Sequence, residues 1–183
     1  STNGTGDGSS WASPTNNLQG AIDVIALTST STVWVSNGVY CAGGVTGYPI
    51  GSTVSNRVAI WKGITVRAFD SDPAGTIIRG VLEVDGFGPG TNGPSAAGMR
   101  CVYMTNGASL IGITVSNGAT ANINLSDEKD GSGGGVWCES TNSVISNCVL
   151  TANVANRYGG GTHKGTLYDC MVRYNTAGYT GGR

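Results

Sequence analysis

A repeat of 22 residues near the end of the chain restricts its possible folds more than any other feature. Residues 144–153 align with residues 166–175 at an offset of 22, which places Cys148 on Cys170. A repeat of this length, made of short strands and turns, is typical of one coil of a parallel β-helix, in which each coil buries its apolar side against its neighbours. We therefore predict an all-β chain folded as a right-handed parallel β-helix, which is a solenoid.

A weaker repeat precedes this one. Residues 109–111 match residues 143–145 at an offset of 34, and the same offset places Met104 on Cys138. The interval contains a polar insertion at residues 120–132. The match with a methionine predicts an apolar core position for Cys138 rather than a metal ligand, because free cysteine behaves as a small hydrophobic residue.

Short runs rich in Val, Ile and Thr, separated by Gly, Asn, Asp or Pro, are typical of strands and turns. A β-sandwich of the same strand content is the alternative, but it requires hairpin turns and has no internal register, so the repeats favour the solenoid. The predicted strands lie within residues 32–40, 58–68, 76–84, 99–104, 109–116, 135–138, 143–151 and 166–173.

A single helix is predicted, at residues 14–27, with Ser13 as its N-cap and Pro14 in the first helical position. A bare solenoid end exposes unpaired backbone groups, so we expect this helix to cap the first coil. Residues 1–183 then form one domain: residues 1–31 are a loop and the capping helix, and residues 32–183 are about five to six coils. The apolar residues at helical spacing are Leu18, Ala21, Ile22, Ile25 and Ala26.

Composition excludes several classes of protein. The chain has 10 basic and 11 acidic residues and a net charge of −1, so nothing in it attracts a phosphate backbone, and we expect no nucleic-acid partner. No apolar stretch approaches the roughly 18 residues that span a bilayer. Low charge with abundant Gly, Ser, Thr and Asn, and a first residue that is Ser1 rather than Met, predict a secreted or cell-surface protein.

Three segments near the start carry a resemblance to a known family. Residues 4–12 (GTGDGSSWA), 18–23 (LQGAID) and 33–40 (VWVSNGVY) resemble the opening of bacterial right-handed parallel β-helix proteins of the pectate-lyase-like superfamily. The resemblance implies a leading loop, a capping helix and a first coil. The superfamily includes lyases, glycoside hydrolases, adhesins and phage tailspikes, so it implies a fold rather than one function.

The later coils are similar to the repeats of chlamydial polymorphic outer-membrane proteins, in which a Gly-Gly strand is followed by Phe-x-x-Asn. The counterparts are residues 133–136 with 150–153, and residues 159–162 with 172–175, with Leu and Val in place of Phe. Residues 181–183 (GGR) look like the start of a further coil. We therefore expect either a longer solenoid or self-association through open solenoid ends, which can continue into a filament.

Catalytic signatures are missing from these coils. The polygalacturonase motifs Asn-Thr-Asp, Asp-Asp, Gly-His-Gly and Arg-Ile-Lys are absent, so we expect a non-catalytic extracellular module for surface structure, adhesion or self-assembly. The alternative is the N-terminal part of a lyase or glycoside hydrolase that acts on acidic polysaccharide, since paired carboxylates with basic neighbours are what such chemistry requires. Its candidate catalytic residues are Glu83, Asp85, Arg67 and Arg79.

A calcium ion is the one cofactor for which the sequence offers candidate ligands. Asp127, Glu128 and Asp130 form an acidic cluster beside Gly131, and hard cations take several oxygen ligands from such turns. The alternative is a solvated insertion between coils. His163, the only histidine, is flanked by polar residues, so it is expected at the surface.

Aromatic residues supply the candidate contact surfaces. Trp11, Trp34, Trp61 and Trp137 could include a sugar-stacking platform, although the strand positions of Trp34 and Trp137 favour packing. An exposed face of the last coils is predicted to meet a glycan or another subunit. Its residues are Tyr158, Tyr174, Tyr179, Arg157 and Arg173.

Two pairs of like residues are predicted to stack between the last coils. Cys148 and Cys170 should form a buried apolar ladder, for which free cysteine is well suited, and a disulfide between them is the alternative. Because the chain has five cysteines, at least one of them lacks an intramolecular partner. Asn153 and Asn175 should form a ladder of side-chain hydrogen bonds at a turn.

Overall fold

The computed structural model describes residues 5–26, 31–82, 98–120 and 127–178. These residues form an all-β protein with several stacked parallel sheets, an arrangement consistent with a β-solenoid. The chain begins with an antiparallel hairpin of β1 (Thr5–Ser10) and β2 (Ser13–Thr15), followed by the helix α1 (Leu18–Val24).

The parallel strands belong to three sheets, which the chain visits in the same order in each coil. Sheet 1 contains β3 (Thr32–Val35), β6 (Thr65–Ala68), β9 (Ser109–Ile111), β12 (Val144–Ser146) and β16 (Thr166–Tyr168). Sheet 2 contains β4 (Gly38–Tyr40), β7 (Thr76–Arg79), β10 (Thr114–Ser116), β13 (Val149–Thr151) and β17 (Met171–Arg173). Sheet 3 contains β5 (Ser55–Ile60), β8 (Met99–Met104), β11 (Val136–Cys138) and β15 (Thr162–His163), and a small sheet pairs β14 (Val154–Ala155) with β18 (Thr176–Ala177).

All pairings within sheets 1, 2 and 3 are parallel, which excludes the antiparallel β-sandwich among the described residues. Three segments predicted as continuous strands are each divided in two. Gly112, Asn147 and Asp169 have positive φ angles of 72°, 49° and 51° and turn the chain from sheet 1 to sheet 2. The run predicted at residues 58–68 divides as well, into the end of β5 and β6.

The repeat of 22 residues is confirmed, since Ser146 pairs with Tyr168. The earlier repeat is confirmed in sheet 3, where Met104 pairs with Cys138. In sheet 1 its predicted register is wrong by one residue, because Leu110 pairs with Ile145 rather than with Val144. The connection between β11 and β12 is one residue longer than that between β8 and β9, which accounts for the shift.

The core lies inside the stack, between the three sheets. Alternation along each strand produces it: Val33 and Val35 of β3 are buried, whereas Trp34 between them is exposed. Fully buried members from successive coils are Val66, Leu110, Ile145, Ile78, Val115 and Leu150.

Helix α1 is shorter than predicted and starts later. Ser13 and Pro14 belong to β2, and Asn17 caps the helix, because its side chain accepts a 2.9 Å hydrogen bond from the Gly20 N–H. Leu18 and Ile22 of α1 are buried in the core cluster. The predicted last residue, Leu27, lies outside the described residues.

The structure has a second helix, which the sequence did not predict. Helix α2 (Glu128–Gly131) occupies the end of the polar insertion. It contacts sheet 3, where Arg100 of β8 donates a 2.8 Å hydrogen bond to the carbonyl of Lys129. It also contacts the loop around Tyr48, because the Lys129 ammonium donates a 2.9 Å hydrogen bond to the carbonyl of Ile50. Sheet 3 is therefore buried on both faces, which explains why β5, β8 and β11 do not show alternating burial.

Candidate functional site

Three large aromatic side chains lie together on the surface of the first two coils, where two of them contact the third. Trp11, Trp34 and Phe69 are 54%, 49% and 60% exposed. The ring centroid of Phe69 lies 5.0 Å from that of Trp11 and 6.3 Å from that of Trp34, in edge-to-face geometry. The Arg67 guanidinium lies 5.5 Å from the Trp34 ring centroid, at cation–π distance. We call these four residues the aromatic cluster.

The local fold explains how residues distant in sequence form this cluster. Trp34 occupies the outward position of β3, and Arg67 is its register partner on β6. Phe69 follows β6, and its N–H donates a 2.8 Å hydrogen bond to the Val35 carbonyl. Trp11 lies at the tip of the hairpin between β1 and β2. The site therefore combines the hairpin with the outer face of sheet 1.

A cavity of about 670 Å³ opens beside the cluster, between the hairpin, α1 and β3. Its lining includes Trp11 and Trp34, apolar residues of α1, and Tyr40. The Tyr40 hydroxyl donates a 3.0 Å hydrogen bond to the Ser36 carbonyl, and burial raises the pKa of this phenol. The cavity thus has apolar walls beside exposed rings, as do sites for small organic ligands.

One carboxylate lines the same cavity. Asp7 accepts hydrogen bonds from the Ser9 N–H at 3.0 Å, from the Ser9 hydroxyl at 2.7 Å and from the Ser13 hydroxyl at 3.0 Å. These bonds, the Ser9 N–H foremost, lower the pKa of Asp7. Asp7 is therefore a fixed anion that holds the hairpin in shape.

The sequence named Trp11 and Trp34 as candidate stacking residues but favoured packing for Trp34, and that preference was wrong because Trp34 is half exposed. Phe69 and the Trp34–Arg67 pairing were missed. The signal for them was the match between residues 33–35 and 66–68, which follow the same alternation and stand in register.

Of the two other predicted stacking residues, Trp61 is 39% exposed, whereas Trp137 is buried. Its ring lies between Tyr103 and His163, at centroid distances of 5.8 Å to each, and Tyr48 extends the column beyond Tyr103. The column stands on the outer face of sheet 3 under α2 and the loop around Tyr48. Trp137 thus packs laterally, as its strand position predicted.

His163 is not at the surface as predicted, since its side chain is only 11% exposed. Its Nε2 lies 2.7 Å from a Glu128 carboxylate oxygen, which also lies 3.6 Å from the Lys164 ammonium. Burial lowers the pKa of His163 more than Glu128 raises it. At neutral pH the imidazole is therefore uncharged, and its contact with Glu128 is a short polar contact rather than an ion pair.

The three calcium candidates have different partners. Asp127 caps α2 by accepting from the Lys129 N–H at 2.8 Å, and Glu128 contacts His163. Asp130 is buried and accepts from the Ser52 hydroxyl at 2.6 Å and from the N–H and hydroxyl of Thr53 at 2.9 and 2.7 Å. Among the described residues, no three His, Cys, Asp or Glu side chains are grouped so that they could hold a metal ion.

A buried arginine organises the same region. Arg100 is fully buried, and its guanidinium donates to the carbonyls of Gly133, Lys129 and Ser132 at 2.8, 2.8 and 2.9 Å. Burial lowers the pKa of Arg100 to about 9, and the charge of Asp130 opposes that shift. The group is still a cation at neutral pH, so the segment around α2 is held by charge-assisted hydrogen bonds.

The residues of the enzyme alternative are only partly described. Glu83 and Asp85 lie outside the described residues. Arg67 belongs to sheet 1 beside Trp34, whereas Arg79 ends β7 in sheet 2, in register with Ser116. The two arginines therefore lie on different sheets.

The predicted contact face of the last coils is formed by pairs of neighbouring residues. The Arg157 guanidinium lies 5.0 Å from the Tyr158 ring centroid, and that of Arg173 lies 5.7 Å from the ring of Tyr174. The first pair lies between β14 and β15, whereas Arg173 ends β17 and Tyr174 follows it, so the two pairs occupy different corners of the coil. Tyr179 lies outside the described residues.

Both predicted ladders are present. Asn153 Nδ2 donates to Asn175 Oδ1 at 3.0 Å. Cys148 is buried in the core cluster, and Cys170 packs against it one coil later. All five cysteines are free thiols.

No family model, curated protein or solved structure matches this chain. Neither described helix has the length and apolar character needed to cross a membrane.

Proposed function

We propose that this chain is a non-catalytic extracellular module that attaches to polysaccharide through its aromatic cluster. The single observation that carries the proposal is the exposure of three rings, Trp11 and Trp34 on either side of Phe69, beside an apolar cavity. Contiguous exposed apolar surface on a soluble protein usually marks an interaction site. A sugar ring presents C–H groups on its faces and hydroxyls at its edge, so it can stack on an aromatic face while its hydroxyls stay hydrated.

The proposed scaffold is a right-handed parallel β-helix whose first coil is capped by α1. Support for the handedness comes from the general preference of crossovers between parallel strands. Support for the cap comes from Leu18 and Ile22, which pack from α1 into the core cluster. Low charge supports secretion or display at the cell surface.

Binding to immobilised and soluble polysaccharides tests the proposal. The panel contains cellulose, xylan, chitin, polygalacturonate and alginate, so that neutral and acidic chains are compared. We expect Trp34→Ala and Trp11→Ala each to weaken binding about tenfold, equivalent to about 1.4 kcal/mol. The matched control is Tyr168→Ala, which removes an exposed ring from the other end of sheet 1.

Two results would contradict the proposal. One is the absence of binding to every member of the panel. The other is unchanged binding in Trp34→Ala and Trp11→Ala variants that unfold like the parent chain. Release of reducing or unsaturated sugar ends would instead favour the enzyme alternative. Loss of that release in Arg67→Gln or Arg79→Gln would then show which of the two arginines belongs to the catalytic site.

Self-association is a second candidate function, favoured by exposed apolar residues on β16 and β17. Tyr168, Met171 and Val172 are 57%, 52% and 41% exposed on these strands. A strand edge with such residues can pair with another chain. Concentration-dependent sedimentation that is lost in Val172→Lys would support it, and a single monomeric species at all concentrations would exclude it.

A further inference from the structure

The corner between sheets 1 and 2 brings two free thiols together in adjacent coils. The flanking residues stand in register on both sides, Ser146 with Tyr168 before the corner and Val149 with Met171 after it. The Met171 N–H donates a 2.9 Å hydrogen bond to the carbonyl of Cys148 itself. Cys148 and Cys170 are therefore nearest neighbours across the stack.

The spacing of the stack fits a disulfide. Neighbouring strands lie about 4.8 Å apart, and Cα atoms joined by a disulfide are usually about 4.4–6.8 Å apart. Both side chains have the same orientation, because the thiol of Cys148 lies 3.2 Å from the Ser146 carbonyl and that of Cys170 lies 3.2 Å from the Tyr168 carbonyl.

Access to the pair is one-sided. Cys148 is buried, and Ile113 of the preceding coil is its neighbour in the stack. This position follows from the 3.2 Å hydrogen bond that the Val149 N–H donates to the Ile113 carbonyl. Cys170 is only partly buried and is the thiol that a reagent can reach. Its neighbours Asp169 and Met171 are exposed. In disulfide exchange, Cys170 is therefore suited to attack the partner and Cys148 to resolve the mixed disulfide.

We propose that Cys148 and Cys170 form a reversible dithiol–disulfide site whose chemical partner is a low-molecular-weight or protein disulfide. The Cys170 thiolate attacks one sulfur of the partner disulfide, forms a mixed disulfide and releases one thiolate. Cys148 then attacks the Cys170 sulfur, forms the intramolecular bond and releases the second thiolate, which takes up the Cys148 proton. The protein dithiol loses two electrons and two protons, and the partner is reduced to two thiols.

The ionisation of the pair is consistent with these roles. The contact with Cys148 lowers the pKa of Cys170, whereas the contact with Cys170 and burial raise the pKa of Cys148. Cys138 and Cys101 differ from them: burial raises the pKa of each to about 12. These two buried thiols should stay reduced under the same conditions.

Oxidised glutathione is the probe for the test, applied to the full chain in a Cys41→Ser background that removes the exposed thiol. After quenching and digestion, mass spectrometry should find the peptides of Cys148 and Cys170 joined with the loss of two hydrogens. In Cys148→Ser we expect Cys170 to accumulate as a mixed disulfide with glutathione. Cys138→Ala is the matched control and should form the Cys148–Cys170 bond normally.

A second measurement needs no cysteine variant of the pair. The bond closes a loop of about 22 residues, so oxidation should raise Tm by roughly 5–10 °C, and dithiothreitol should reverse the rise. The proposal is overturned if glutathione remains attached to Cys170 in the parent protein. It is also overturned if Cys148 and Cys170 stay reduced in excess oxidised glutathione.

Discussion

The Asn153 Nδ2 lies 3.0 Å from Oδ1 of Asn175, which also accepts from the Asn153 N–H at 3.0 Å. The same pattern occurs one coil earlier, where Asn153 Oδ1 accepts from the Gly118 N–H at 2.9 Å. Each amide also donates to a backbone carbonyl, Asn153 to Val115 and Asn175 to Leu150. The ladder thus satisfies backbone groups at a corner where regular strand pairing is interrupted.

Truncation of this ladder should destabilise the protein. We expect Asn153→Ala to lower the free energy of unfolding by about 2–3 kcal/mol, because the Gly118 N–H is left buried without its acceptor and the Val115 carbonyl loses the Asn153 donor. Urea denaturation measures the change. Asn153→Asp should not restore stability, since a carboxylate cannot donate to Val115. Asn142→Ala, at an exposed turn, is the control and should cost less than about 0.5 kcal/mol. Equal losses in Asn153→Ala and Asn142→Ala would contradict this account.

Ala152 has a φ angle of 54°, in the left-handed region that alanine rarely occupies. We expect Ala152→Gly to raise the free energy of unfolding by up to about 1 kcal/mol, because the unfavourable contact of Cβ with the backbone is removed. Thermal or urea unfolding measures it. Ala177→Gly makes the same atomic change in strand β18 and should destabilise by about 0.5–1 kcal/mol. Destabilisation by both substitutions would show that the Ala152 backbone is not strained.

Acid should loosen the segment around α2. Burial alone would raise the pKa of Asp130, but the hydrogen bonds from Ser52 and Thr53 and the charge of Arg100 outweigh it and lower the pKa. A lowered folded-state pKa gives stability that is complete above the unfolded value of about 3.9 and is lost as the pH falls through the folded value.

Urea denaturation between pH 7 and pH 2 checks this expectation. Asp130→Asn should be less stable at neutral pH and should lose less stability below about pH 4 than the parent does. An identical pH profile for Asp130→Asn and the parent would contradict the assignment.

His163 should remain neutral at pH values where an ordinary histidine is half protonated. Burial is the largest cause of its lowered pKa, so the folded state disfavours the imidazolium form. Its contribution to stability is complete above the unfolded value of about 6.5 and is lost as the pH falls through the lower folded value.

Proton NMR can follow this titration without assignment ambiguity, because His163 is the only histidine. Glu128→Gln should lower the midpoint further, since the Glu128 charge favours protonation, and Lys164→Met should raise it. A midpoint at or above about 6.5 in the parent protein would contradict the buried environment.

The stacking of the coils was predictable because like residues recur at fixed offsets and β-branched runs are strong strand signals. The corners were not predictable from those runs. In residues 109–116 and 143–151 an apolar run continues through the corner, and only a left-handed residue, Gly112 or Asn147, divides it. The helix start was misplaced because Pro14 fits a first helical turn, yet its segment pairs with β1 instead.

Residues of the candidate site were predictable only where their neighbours are close in sequence or in repeat register. Trp11 was identified from residue type alone. Asp130 was assigned to a calcium loop because its partners, Ser52 and Thr53, lie almost 80 residues away, at separations of 78 and 77. Arg100 was overlooked because most of its partners are main-chain carbonyls. Any residue type supplies a carbonyl, so the sequence does not indicate these partners.

In sheet 1 the pairing of the strands stays the same, although the number of residues between successive strands varies. Thr32, Thr65, Ser109, Val144 and Thr166 stand in one column, although successive members are 33, 44, 35 and 22 residues apart. The connections between strands absorb all of that variation. A gene that encodes such a chain can gain or lose codons at a corner without changing which strands become neighbours. Foreign peptides can therefore be inserted at the connections between strands, whereas an insertion or deletion within a strand should not be tolerated.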